Sequence, residues 1–135
     1  MQSNVMTEIN NPGVVQEVSQ LFNEYEIALC KNDVATLTKF FWDSAEVVRF
    51  GTMENLYGSA AIQDYRTSRP NIKLSRQISN LKVTAFGLDT GIVTLEFYGG
   101  LEGQPARSGR LTQVWRQFPD GWKIVSAHVS WMPQV

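Results

Sequence analysis

The C-terminal ribbon constrains this chain most. Residues 107–118, RSGRLTQVWRQF, and 122–131, WKIVSAHVSW, are two long runs of strand-forming residues. Pro119-Asp120-Gly121 between them is a compact hairpin signal in which Asp and Gly supply the turn. Runs of that length belong on the floor of a sheet, not at its margin. Under strict alternation, Trp122, Ile124, Ser126, His128 and Ser130 share one face, and Lys123, Val125, Ala127, Val129 and Trp131 share the other. The first, mixed set is expected to line a pocket. The second, mostly apolar set is expected to pack on helices or on a partner chain.

Upstream, residues 1–10 are polar and expected to be flexible, and residues 11–135 to form a single domain. Asn11-Pro12 is a helix start, with Asn as N-cap and Pro at the first helical position. Val14, Val18, Leu21, Tyr25, Ala28 and Leu29 form one stripe of a helix reaching about Lys31. Asn32-Asp33 breaks it and caps a second helix with apolar Val34, Leu37, Phe40 and Phe41. Residues 46–50 read as a short strand closed by Gly51, and residues 53–57 as its hairpin partner. Ser59 is the expected cap of a third helix, stopped at Arg69-Pro70. Strands are expected over 75–86, 90–98, 107–118 and 122–131, separated by turn signals.

Composition narrows the function classes. Hydrophobic content of 43% and charged content of 19% are ordinary globular values. A net charge of −1 supplies no field for nucleic acid or an anionic membrane, and neither is expected as a partner. The single cysteine, Cys30, excludes an internal disulfide and fits a reducing compartment. MQSNVMTEIN lacks a signal-peptide pattern, and no apolar run approaches the ~20 residues of a membrane helix. A cytoplasmic location is the expectation. One His and one Cys make a metal site unexpected, and no glycine-rich phosphate loop is present.

Helix, helix, short hairpin, helix and four long strands predict an α+β cone, three helices packed on a strongly curved, mostly antiparallel sheet. That order resembles the nuclear-transport-factor-2-like (NTF2-like) superfamily, which includes SnoaL and ketosteroid isomerase. The resemblance implies a pocket between the first helix and the concave sheet face.

The chemistry-bearing candidates are few. Arg49 sits in a strand between apolar Val48 and Phe50, where a guanidinium needs a carboxylate or an anionic ligand. An internal ion pair with Glu46, Glu54 or Glu96 would satisfy it equally. Arg66 and Arg69 share a helical face and either reach over a pocket mouth or form a solvated helix end. Tyr25 lies on a core stripe, where it either packs or moves a proton. His128, the only histidine, shares the mixed face with Ser126 and Ser130. Arg66, Arg69, His128, Trp42 and Ser130 complete the substrate-binding candidates. No nucleophile-plus-base pair suggests an acyl-enzyme.

Three segments carry a narrower resemblance: FWDSAEVVRFGTMENLYG, IQDYRTSRP and the ribbon with its QVWR and GWKIVSAHVS pieces. They resemble the AtzH-like family (formerly DUF3225), which includes HpxZ of oxalurate catabolism and AtzH of cyanuric acid breakdown. The resemblance implies a cofactor-free hydrolase of nitrogen catabolism, a decarboxylating amidohydrolase converting 1,3-dicarboxyurea to allophanate. It also implies a functional link to an amidase-signature enzyme and its small subunit, for which the chain would otherwise be a non-catalytic accessory. Tyr25 and Arg49 match the family's catalytic candidates. A homodimer through the outer sheet face, using Val125, Val129 and Trp131, is expected for this architecture.

Overall fold

The computed structural model describes residues 8–69 and 73–134. The helices are α1 (Pro12–Lys31), α2 (Val34–Phe40) and α3 (Ser59–Ser68). The strands are β1 (Val48–Phe50), β2 (Asn55–Tyr57), β3 (Leu74–Phe86), β4 (Thr90–Leu101), β5 (Arg107–Phe118) and β6 (Gly121–Trp131). They form one six-stranded sheet in the order β2-β1-β6-β5-β4-β3, antiparallel except where β1 runs parallel to β6. The fold is α+β, with three helices on a curved mixed sheet.

Local chemistry sets the helix ends. Asn11 Oδ1 accepts from the backbone N–H of Gly13 and Val14, and Pro12 begins α1. Asn32 adopts the left-handed conformation (φ 52°) that closes α1, and Asp33 caps α2 through Thr36. Burial along α1 falls on Val14, Val18, Phe22, Tyr25, Ala28 and Leu29, so Phe22 takes the core position expected of Leu21. The cap of α3 is Gly58 at φ 89°, whereas the Ser59 hydroxyl donates to Asp43. Pro70, the expected stop of α3, lies outside the described residues, as do residues 1–7 of the flexible N-terminus. Residues 8–10 do not follow that expectation: Ile9 bridges Phe86, and Asn10 exchanges hydrogen bonds with Ala85.

The decisive irregularity is in β6. Val114 pairs with Ser126 but Trp115 with Ile124, so Val125 is an extra residue opposite the β5 backbone. Such a bulge reverses the facing of every later residue. Trp122 and Ile124 point inward, as expected, but beyond the bulge the inward set is Ala127, Val129 and Trp131. Ser126 and His128 are exposed, with the His128 ring edge-on to Phe50. Ser130 Oγ accepts from Arg110 Nε at 3.0 Å. His128 and Ser130 therefore leave the strand face that carries Trp122 and Ile124, and Val129 and Trp131 leave the face expected to meet a partner. β4 also outruns its expected end at Tyr98, continuing to Leu101 before the chain turns into β5.

Candidate active site

Arginine organises the concave side of the sheet. A cavity of about 470 Å³ opens between α3, the β1–β2 hairpin and the ends of β3, β4, β5 and β6. Arg49, Arg66, Arg69, Arg76 and Arg107 all line it, with Glu54 as the only acid on its wall among the described residues.

Two of these guanidiniums are neutralised. Arg76 on β3 makes a two-point pair with Glu26 of α1, Nε and Nη2 each donating at 2.7 Å, while its guanidinium lies 4.5 Å from the Phe97 ring centre. Burial alone would lower the Arg76 pKa, but the hydrogen bonds and charge of Glu26 outweigh it and raise the value. Arg49 on β1 makes a one-point pair, Nη1 to Glu54 Oε2 at 2.8 Å. An internal acid thus meets Arg49, yet the cavity beside it stays open.

Arg66, Arg69 and Arg107 have no carboxylate partner among the described residues. Arg66 is 1% exposed, which replaces the solvated helix end expected for it. Its Nη2 donates to the Tyr25 hydroxyl at 3.1 Å, while Nε and Nη1 find no acceptor. Burial holds its pKa below the ordinary guanidinium value, with Tyr25 opposing the shift and Arg49 adding to it. Arg69 and Arg49 both lie against the Tyr65 ring, at 5.5 and 5.3 Å from its centre. Arg107 stacks at 4.8 Å on Trp131.

Tyr25 closes the inner end. It is packed among Phe22, Phe40 and Phe41, so its ring is a core residue. Its polar end meets a chamber of about 30 Å³, walled by Leu29, Arg49, Arg76 and Val129, all of which also line the larger cavity. That chamber holds roughly one water or one small substituent of a ligand. With Arg66 donating to its oxygen, the Tyr25 O–H remains free as a donor.

The structure therefore gathers Tyr25, Arg49, Arg66 and Arg69 and leaves out Ser130 and Trp42, while His128 borders only the small chamber beside Tyr25. Trp42 is pinned by its N–H to Ile124 O and stacks on Phe118. It lines a separate cavity of about 430 Å³ under α2, α3 and the β5–β6 turn. There Lys39 and Lys123 are matched by Asp43 and Asp120, and Arg66 lines this space as well as the larger arginine cavity. Burial pushes the Cys30 thiol up, and Glu26 adds to the effect, so it is a poor nucleophile at neutral pH. Arg107 and Tyr65 are site residues that the sequence reading did not select. Arg107 shares inward parity on β5 with Leu111, Gln113 and Trp115, a signal present in the ribbon itself.

Comparison with known proteins agrees with this architecture. A Pectobacterium atrosepticum protein of unknown function from the DUF3225 family is 40% identical, over 93% of this chain and 95% of that one, with a TM-score of 0.85. A cystatin-like fold protein from Burkholderia xenovorans is 38% identical, over 96% and 99%, at TM-score 0.87. An NTF2-like protein of unknown function from Pseudomonas putida shares the fold at 18% identity, over 87% and 86%, with TM-score 0.78. No curated protein matches. The AtzH-like family model matches residues 7–135, and the chain belongs to that family, on an NTF2-like fold.

Proposed function

We propose that this protein is a decarboxylating amidohydrolase of nitrogen catabolism acting on a small carboxylated urea, of the 1,3-dicarboxyurea to allophanate type. The observation that carries the reading is the excess of fixed cations. Three guanidiniums without carboxylate partners among the described residues line a cavity sized for a small molecule. Arg presents paired, always-charged donors to a carboxylate, so a doubly charged, planar urea suits that lining.

In this mechanism Arg69 and Arg107 hold the outer carboxylate, and Arg49 holds the N-carboxylate that departs. The C–N bond of that carbamate breaks with its electron pair left on nitrogen. Tyr25 donates its proton there, CO2 leaves, and solvent returns a proton to Tyr25. Hydration of CO2 then yields bicarbonate. Arg66 positions the Tyr25 oxygen and stabilises the negative charge developing on it.

A 13C-NMR time course of 1,3-dicarboxyurea, run against a protein-free control, tests the proposal. Protein-dependent allophanate and bicarbonate, lost in Tyr25→Phe and Arg49→Ala variants that remain folded by circular dichroism, is the expected result. A rate equal to background would instead make the protein a binding or accessory partner of an amidase-signature hydrolase. We further propose that a homodimer forms through the outer sheet face with Ile92, Val114 and Tyr98, which alternate with core residues along β4 and β5. Light scattering would show a dimer for the native chain and a loss of mass for Val114→Asp.

A further inference from the structure

The Arg49–Glu54 pair lies on the wall of the cavity, and the β1–β2 turn is built around it. Gly51 N–H donates to Glu54 O at 2.8 Å, which folds the turn back on itself. The Glu54 side chain then lies across Gly51: a Cβ at position 51 would overlap Glu54 Oε2 and approach Arg49 Nη1 to 3.0 Å. Gly51 has an ordinary backbone conformation, since it is not among the glycines at positive φ. What this position requires is therefore an empty volume, not an unusual φ. Glu54 Oε1 accepts from Met53 N–H at 3.2 Å, which keeps the carboxylate turned toward Arg49. Met53 beside it is 88% exposed, so the turn faces solvent and has room to move.

We propose that Glu54 is a specificity-determining residue, a resident carboxylate that occupies Arg49 until a substrate carboxylate displaces it. The inference rests on the proposed binding of a carboxylated urea and adds a reason why the singly charged product leaves while the doubly charged substrate is held at both ends. A monoanion is held by Arg69 and Arg107, which have no carboxylate partner among the described residues, and leaves Arg49 to Glu54. A dianion anchored at those outer cations brings its second carboxylate to Arg49 at high effective concentration and displaces Glu54. Once that carboxylate is lost as CO2, the product has a single charge near the outer cations. Glu54 returns to Arg49 and favours product release. The contrast with Arg76 supports a displaceable role: Glu26 grips Arg76 at two points inside the fold, whereas Glu54 touches Arg49 at one point on the cavity wall.

Titration calorimetry with unreactive acids tests this without turnover. Glutarate matches the chain length of 1,3-dicarboxyurea, and butyrate is its singly charged counterpart. The native protein is expected to bind glutarate at least about tenfold more tightly than butyrate, one charge-assisted contact being worth that factor. Glu54→Gln removes the competing charge while keeping the shape, and Gly51→Ala pushes the carboxylate off Arg49 while keeping the charge. Both are expected to strengthen glutarate binding by roughly tenfold, to leave butyrate binding nearly unchanged and so to widen the ratio between the two acids. A ratio unchanged in both folded variants overturns the inference, even if thermal stability falls, because a purely structural pair alters stability and not selectivity. Failure of the native protein to bind either acid overturns the underlying substrate reading and this inference with it.

Discussion

Arg76 and Arg66 are both buried guanidiniums on the wall of one cavity, and they are treated in opposite ways. Arg76 meets Glu26 through two hydrogen bonds and stacks on Phe97, so its charge is matched inside the fold. Arg66 meets only a neutral phenol, and two of its nitrogens lack acceptors. A saturated buried pair is what a structural role requires. An unsaturated buried cation lowers stability, and such a cost is retained where a ligand supplies the missing charge. The comparison separates an arginine whose charge is matched inside the fold from one whose charge the described residues leave unmatched.

The largest expected effect falls on the structural side. Glu26→Ala strands Arg76 as a buried charge and is expected to cost about 3–5 kcal/mol of stability, read by urea denaturation. Restoration by a further Arg76→Met substitution would confirm the pairing; no loss in the single variant would break the contrast. Next is Tyr25→Phe, which removes the only hydrogen bond found for Arg66 and the proposed proton donor. Turnover is expected to drop about 10²–10⁴-fold. Stability is expected to fall by about 1–3 kcal/mol, the cost of leaving a buried donor group unsatisfied.

Arg66→Met sharpens the comparison in the reverse direction. Removing an uncompensated charge is expected to leave the melting temperature unchanged or raised, while turnover falls by about 10²–10³-fold as the Tyr25 oxygen loses its charged donor. A melting temperature several degrees lower would mean that Arg66 is structural like Arg76. The double variant with Tyr25→Phe should be more stable than Tyr25→Phe alone, and their non-additivity measures the coupling. Smallest of all, Ser130→Ala and Trp42→Phe lie off the arginine cavity. Each is expected to keep kcat/KM within about twofold, in line with ~0.5 kcal/mol for substitutions away from such features.

These contrasts also show where the sequence was informative. Asn11-Pro12 and Asn32-Asp33 act through neighbouring backbone groups, so the ends of α1 and α2 follow from local residues. Tyr25 was legible as core-facing from its helical spacing, and Arg49 as a buried charge from its apolar neighbours. The facing of His128 and Ser130 was not legible. It depends on one unpaired residue, Val125, and the pattern of residues around it does not announce a bulge. Val129 and Trp131 exchange places with them for the same reason.

What the sequence determined by itself is the set of elements, the single curved sheet, the family, and a supply of arginines large for so few mid-strand acids. Those follow from local periodicity, turn chemistry and composition, which act over a few residues. What only the tertiary structure decided is which charges meet. Arg66 reaches Tyr25 across 41 positions and Arg76 reaches Glu26 across 50, while Glu54 takes Arg49 across the space left by Gly51. Such pairings depend on how helices seat on a bent sheet, and the energy of a buried charge depends on which partner is within about 3 Å.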